Sequence, residues 1–370
     1  MNNKNTKKTT VAEAERNTVL VGDVRTRLTE LPEDSVDCIV TSPPYFRLRN
    51  YGEEEQIGLE DHVDGWVQEM RGVFTDLSRV LKSTGSVWLN LGDSYSRDQK
   101  AGAPPKGLLL APERLLLALA GDGWIIRNKV IWAKTNPMPN AVKDRLSCTY
   151  ENVYFLTREA SYFFDLDAIR IPHRTAKTPT VRKSSSYPPP DAGAPEWAGP
   201  LAGNNSGLSA MKRAGLAGHP LGKNPGDVWR FATANFRGAH FATFPRALVE
   251  RPLLATCPER ICIDCGKPWE RQRTKKLRRQ LGHLAVHGEL RPTCRCEAPH
   301  RPGLALDPFF GAGTTGLVAE ALGREWVGIE LNAEFAAMAT TRITQARADR
   351  ARSCSRPVSG DEQQPTKRAA

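Results

Sequence analysis

The chain has 370 residues, 40% of them hydrophobic, enough to bury one large core or one and a half. A formal charge of +11 and an isoelectric point near 9.4 point to a polyanionic partner, nucleic acid first, with a plain basic protein carrying basic tails as the bland alternative. No apolar run reaches about eighteen residues, and the opening stretch MNNKNTKKTT is polar, so the expectation is a soluble, cytoplasmic protein with no membrane partner.

Residues 1–16 are polar and charged and are expected to be a flexible tail. TVLVGDV (18–24) and VDCIVTS (36–42) read as strands. The stretch DGWVQEMRGVFTDLSRVL places Trp66, Met70, Val73, Leu77 and Val80 at helical spacing. SVWLNLGD (86–93) is a strand, LLLAPERLLLALA a helix, and IIRNKVIWAK (125–134) and NVYFLTR (152–158) are strands. Between about 171 and 225 the alternation gives way to Pro, Ser, Gly and Ala, as in SSSYPPPDAGAPEWAGPLAGNNSG; a loop this long inside a domain is functional or disordered. Residues 257–300 form a second interruption. LALDPF (304–309) and WVGIEL (326–331) are strands flanking the helix TTGLVAEAL, AEFAAMATTRITQARA is a last helix, and 350–370 is a polar tail. There is no internal repeat. Strands alternating with helices predict a parallel sheet covered on both faces. One α/β domain then comprises residues 17–170, 226–256 and 301–349, interrupted at 171–225 and 257–300.

LALDPFFGAGTTG (304–316) is a strand, a turn and a helix start, with Gly311, Gly313 and Gly316 matching G-x-G-x-x-G. The next strand ends at Glu330, a carboxylate suited to ribose hydroxyls, so a nucleoside-containing cofactor is expected. A pyrophosphate cofactor would place this loop in the first βαβ unit, whereas here it comes late, with Asp307 beside it. An acidic residue there suits S-adenosylmethionine, whose ammonium and sulfonium it would partly offset. A glycine turn needed only for packing is the competing reading. Taken as a circle, the strands run 304–309, 326–331, 18–22 and 38–41, which sets Asp307, Glu330, Asp23 and Ser42 at strand carboxyl ends, the edge where open α/β sheets bind ligands. A strand-terminal Asp23 that merely caps a turn is the alternative for that residue.

Eight cysteines do not form a disulfide pattern: Cys38 and Cys148 stand alone, and Cys354 lies in the tail. Cys262 and Cys265 form a C-x-x-C, Cys294 and Cys296 a C-x-C. Together they give four soft ligands for a closed structural zinc site. Cys257, His283, His287 or His300 could replace one of them, and reduced cysteines without metal are the alternative. The intervening WERQRTKKLRRQ would carry Arg271, Arg273, Lys275, Lys276, Arg278 and Arg279 towards phosphate.

TSPPY (41–45) together with DPFFGAGTT resembles the DNA amino-methyltransferases, which methylate cytosine N4 or adenine N6 and carry [DNS]-P-P-[YFW] as the catalytic motif. LPEDSVDCIVTSPPY, NLGDSY, KVIWAKTNPMP, YENVYFLTR and GKNPGDVW are similar too, so the resemblance covers most of 18–345. It implies a Rossmann-like, S-adenosylmethionine-dependent fold, permuted so that the catalytic motif precedes the cofactor loop, the beta-type order. It implies catalytic Ser42, Pro43, Pro44 and Tyr45, and cofactor contacts from Asp23, Asp307, Phe309, Gly311, Gly313, Thr314, Thr315 and Glu330. Residues 17–170 would be the catalytic half and 226–256 with 301–349 the cofactor-binding half.

The segment 171–225 takes the place of a target-recognition insertion, with Arg174, Lys177, Arg182, Lys183, Lys212 and Arg213 for DNA contacts. Asn136, Pro137 and Pro139 would line the base pocket. Double-stranded DNA is then the substrate, and a restriction endonuclease of the same site the implied partner.

The chemistry suits these residues. An exocyclic amine has its lone pair delocalised into the ring. Hydrogen bonds accepted from its N–H groups by Ser42 Oγ and the Pro43 carbonyl favour a pyramidal nitrogen, and proline holds both acceptors in advance. Tyr45 would stack on a base turned out of the duplex. Serine in place of aspartate favours cytosine N4, with adenine N6 as the alternative. A nicotinamide-dependent oxidoreductase, a DNA-binding zinc protein without chemistry, and an RNA substrate are the rival readings.

Overall fold

A computed structural model describes residues 15–172, 221–234, 243–271 and 288–354. The basic residues named above in 174–213 and 273–279, together with His283 and His287, lie outside the described residues.

An eight-stranded sheet organises the chain. Its members are β1 (Thr18–Val21), β2 (Val36–Thr41), β3 (Leu81–Leu91), β4 (Ile125–Lys134), β5 (Tyr150–Thr157), β6 (Val228–Phe231), β11 (Leu304–Asp307) and β12 (Glu325–Glu330), in the spatial order β1-β12-β11-β2-β3-β5-β4-β6. The two late strands sit between the first and second, so β1 and β2, consecutive in the succession read from sequence, are not sheet neighbours. β1, β12, β11, β2 and β3 pair in parallel. The expectation of a wholly parallel sheet is corrected at β5, which runs antiparallel to both β3 and β4. No helix forms between Lys134 and Tyr150, so β5 returns directly beside β4 instead of crossing over.

Among the described residues, three helices cover each face. α1 (Val24–Glu30), α2 (Val63–Val80) and α3 (Ala111–Gly121) lie on one side. α2 begins where His62 Nδ1 accepts the Asp64 N–H, and Trp66, Met70, Val73, Leu77 and Val80 form its buried face as their spacing predicts. On the other side lie α4 (Arg246–Thr256), α5 (Thr314–Ala321) and α6 (Ala333–Cys354), packed over Trp88, Trp132, Trp229 and Trp326. α6 runs into the stretch read as a tail, and Arg16 pairs with Glu325. On β2, Ile39 faces the first core while Cys38 and Val40 face the second; Val36 joins the first across a register shift. At that shift Asp37 is buried, its carboxylate accepting from Lys82 Nζ at 2.6 Å and Leu304 N at 2.8 Å.

The interruption at 257–300 contributes short ladders outside this sheet. β7 (Ile261–Cys262) pairs with β10 (His300–Arg301), and β8 (Trp269–Arg271) with β9 (Leu290–Pro292). This ribbon leaves at the end of α4 and rejoins at Gly303, whose N–H donates to the Pro258 carbonyl at 3.0 Å. It therefore attaches at the amino ends of the parallel strands.

Candidate active site

At the opposite, carboxyl edge of the sheet is a cavity of about 720 Å³. One part of its wall comes from the turn after β2: Ser42, Pro43, Pro44 and Tyr45. The other comes from the loop after β11 and the end of β12: Phe309, Gly311, Thr314 and Glu330. Asp23, at the end of β1, lies on the same wall. Two segments more than two hundred and fifty positions apart in sequence thus share one cavity because β2 and β11 are sheet neighbours.

The Ser42 turn is held by a polar network. Ser42 Oγ donates to Tyr45 Oη at 3.1 Å, and Tyr45 Oη donates to Glu151 Oε2 at 2.7 Å. Asn90 Nδ2 donates to Tyr45 Oη at 2.7 Å and to Glu151 at 2.8 Å, and Lys134 Nζ closes the far side of Glu151 at 2.6 Å. Burial, followed by the nearby Glu151 carboxylate, holds the Tyr45 phenol well above its usual range, so it stays a donor. With its proton committed to Tyr45, Ser42 Oγ keeps its lone pairs as acceptors. Asn90 Oδ1 is buried without a protein partner among the described residues. The Trp66 indole N–H donates to the Pro44 carbonyl at 3.0 Å, which fixes the turn to α2.

Asn90, Glu151 and Lys134 had no role in the reading of the sequence, although each lies in a stretch named there. Their signal is direction: β5 is antiparallel, so its first residues reach the edge where β3 and β4 end.

The glycine loop is built by packing. Gly313 has φ +73°, and a Cβ there would come within 2.9 Å of the Ala339 methyl. Phe310 lies stacked on Trp326 at 5.1 Å, beneath Gly316 and across Gly328, where any side chain would overlap its ring. Phe309 is left to line the cavity. The Glu330 carboxylate accepts from Gly311 N at 2.7 Å and Asn332 N at 3.0 Å; burial and then the Glu53 charge raise its pKa.

Three expected cofactor residues are placed below this wall instead of on it. Asp307 is fully buried, accepting from Thr41 Oγ1 at 2.8 Å, Thr315 Oγ1 at 2.7 Å and Phe309 N at 3.2 Å. Thr315 is committed to that carboxyl, and Gly313 packs on α6. A short acidic side chain between two strands finds local donors before it reaches the cavity. Asp23 caps α1 through the Arg25 N–H at 2.7 Å and pairs with the Arg25 guanidinium at 2.6 Å while also facing the cavity. Pro137 and Pro139 line the cavity as expected, whereas Asn136 Oδ1 accepts from Thr233 N at 2.7 Å. Tyr51, Glu53 and Gln56 also line it, from a segment with no periodic signal in the sequence.

An open α/β sheet whose carboxyl edge joins a glycine loop, an acidic strand end and a hydroxyl–proline turn defines a nucleoside-binding α/β class. The comparisons narrow the class. The family model of N6/N4 DNA methylases matches residues 36–341. The type II methyltransferase M.SmaI of Serratia marcescens is 32% identical over 351 residues, covering 89% of this chain and 91% of the relative. M.XycI of Xanthomonas campestris pv. cyanopsidis is 32% identical over 348 residues, covering 88% and 87%. In fold, the chain is similar to the PvuII DNA methyltransferase (cytosine-N4-specific), with a TM-score of 0.52 at 17% identity over 90% of this chain and 92% of that one. The chain belongs to the N6/N4 DNA methylase family: it is a DNA methyltransferase that draws its methyl group from S-adenosylmethionine.

Proposed function

We propose that this chain methylates the exocyclic N4 of cytosine at a specific site in double-stranded DNA, as the modification partner of a restriction endonuclease. The carrying observation is Ser42, held as an acceptor by Tyr45, Asn90 and Glu151 in the cavity that also contains Gly311 and Glu330. Its volume lies towards the upper end of the range of about 300–1,000 Å³ usual for ligand sites, room for a nucleoside and one extruded base. The orphaned Asn90 Oδ1 calls for a donor, which an amino group supplies.

S-adenosylmethionine supplies an electrophilic methyl group; Phe309, Gly311, Thr314, Glu330 and Asp23 would hold it. Ser42 Oγ accepts one amino N–H and the Pro43 carbonyl the other, which concentrates the nitrogen lone pair for attack. Tyr45 and Glu151 keep the serine proton turned away, and the Tyr45 ring stacks on the base. Serine at position 42, where many adenine enzymes carry aspartate, supports cytosine. The permuted beta-type order rests on β11 and β12 lying between β1 and β2. The type II names of the relatives support a companion endonuclease.

The test is incubation of protein and cofactor with mixed-sequence duplex DNA, digestion to nucleosides, and identification by mass and retention. N4-methylcytosine is expected. N6-methyladenine would overturn the choice of base, and 5-methylcytosine the mechanism, because ring-carbon attack needs a thiol nucleophile. Ser42→Ala should lower kcat by about 10- to 100-fold, the worth of one hydrogen bond to a developing charge, and leave cofactor binding intact.

A further inference from the structure

We propose that Cys262, Cys265, Cys294 and Cys296 bind one zinc ion as a closed structural site, stapling the 257–300 ribbon at the sheet edge opposite the cavity. All four Sγ atoms lie within 4.8 Å of one another. Zn–S bonds of about 2.3 Å in a tetrahedron put sulfur atoms about 3.8 Å apart, so a contraction of at most about 1 Å closes the site. A disulfide needs about 2 Å between sulfurs, and all four cysteines are free.

The backbone around the cluster is formed for a metal. Cys262 N donates to the Lys267 carbonyl at 2.9 Å, and Gly266, at φ +69°, donates to the Cys262 carbonyl at 2.9 Å, closing a tight turn. The second loop is brought alongside the first by Ile263 N to the Pro299 carbonyl at 3.1 Å, by Thr293 Oγ1 to the Pro268 carbonyl at 2.7 Å, and by the Cys262–His300 register. Cys257, an alternative ligand in the sequence, is buried in the core beside α4, and His300 packs tilted against Trp269, ring centres 4.7 Å apart; neither belongs to the cluster.

The ribbon needs such a tie. Among the described residues its ladders are two-stranded, and of the isoleucines there Ile261 is buried while Ile263 is 47% exposed. Two-stranded ladders of two or three residues do not hold themselves together in water, and small modules without a core rely on metals or disulfides. Arg271 anchors one arm through Asp165 at 2.7 Å and through Glu259, and Gly303 leads directly into β11. Four thiolates select a soft tetrahedral ion, and no ligand position is left for substrate, so the ion holds structure and takes no part in methyl transfer. None of the four cysteines lines the cavity.

Metal content of the full chain, purified under reducing conditions, tests this without DNA or cofactor. One zinc per chain is expected, lost in Cys262→Ser or Cys294→Ser and kept in Cys257→Ala. Because a serine variant may fail to fold for other reasons, the wild-type protein is also exchanged with cobalt(II). Strong thiolate-to-cobalt charge-transfer absorption with intense tetrahedral d–d bands is the expected spectrum. Metal-free protein with four alkylatable thiols, two disulfides by mass, bound iron in place of zinc, or a weak octahedral cobalt spectrum would each overturn the proposal.

Discussion

The carboxyl of Asp307 has two threonine hydroxyls and one backbone N–H as donors, yet burial outweighs them and pushes its pKa up to about 7. Its value in an unfolded chain is near 3.8, so between these pH values the folded protein holds a proton that the unfolded chain has released. The stabilisation from this group is complete at acid pH and is lost as pH rises through 7. Asp307→Asn removes the titration and leaves an isosteric side chain for Thr41 and Thr315. Urea denaturation at about pH 5 and pH 8 should show the wild type losing ~2–4 kcal/mol relative to the variant over that interval. Saturating S-adenosylmethionine, whose ammonium and sulfonium favour the carboxylate, should narrow the difference. Parallel pH profiles for the two proteins would mean that the carboxyl is already ionised in the fold.

The cofactor loop shows what an element owes to its neighbours. Gly328 is mid-strand in β12, where glycine is costly, and it is there because the Phe310 ring lies across it. Gly328→Val should destabilise by about 1–3 kcal/mol through overpacking and should weaken cofactor binding by displacing Gly311 and Phe309. In the double variant with Phe310→Ala the two losses should fall short of their sum, a coupling read from urea midpoints; simple additivity would show that the ring does not press on the strand. This packing explains which elements were legible in the sequence. TSPPY and the glycine loop stood out because polar residues end apolar strands there. The face of α2 was legible from the spacing of Trp66 to Val80. α4 was not, because Pro252 interrupts its periodic run, and here the proline is buried inside the helix. β6 is only Val228–Phe231, too short for a period. The reversal of β5 depends on which neighbour a strand finds, and that hid Glu151 and Lys134. Asp307, the expected charge partner, became a buried tie between β2 and β11 for a reason no motif encodes: Thr41 and Thr315 come within reach only after the strands pair.

At the scale of the molecule, a formal charge of +11 must be distributed about a cavity whose own walls carry Asp23, Glu53, Glu55, Glu151 and Glu330. Those carboxylates repel phosphate, so the proposed DNA contact falls to residues outside the floor of the site. Arg49 lies on the cavity wall and is exposed, and Lys143 is exposed in the β4–β5 loop on the same edge. The described strands of the ribbon, by contrast, attach at the amino edge. Lys275, Lys276, Arg278 and Arg279, first read as phosphate contacts, lie outside the described residues. Each phosphate neutralised adds about −0.9 to the slope of log K against log salt. Arg49→Gln and Lys143→Gln should each reduce the steepness of that slope by about 1, with affinity falling on all duplex sequences alike. If they contact phosphate as first read, replacing Lys275, Lys276, Arg278 and Arg279 together by Gln should reduce that steepness by about 3 or more. Titrations of a labelled duplex at several salt concentrations, with S-adenosylhomocysteine present to prevent turnover, measure all three. A slope within about 1 of wild type in the four-site variant would take those charges off the DNA and leave the contact to the cavity edge.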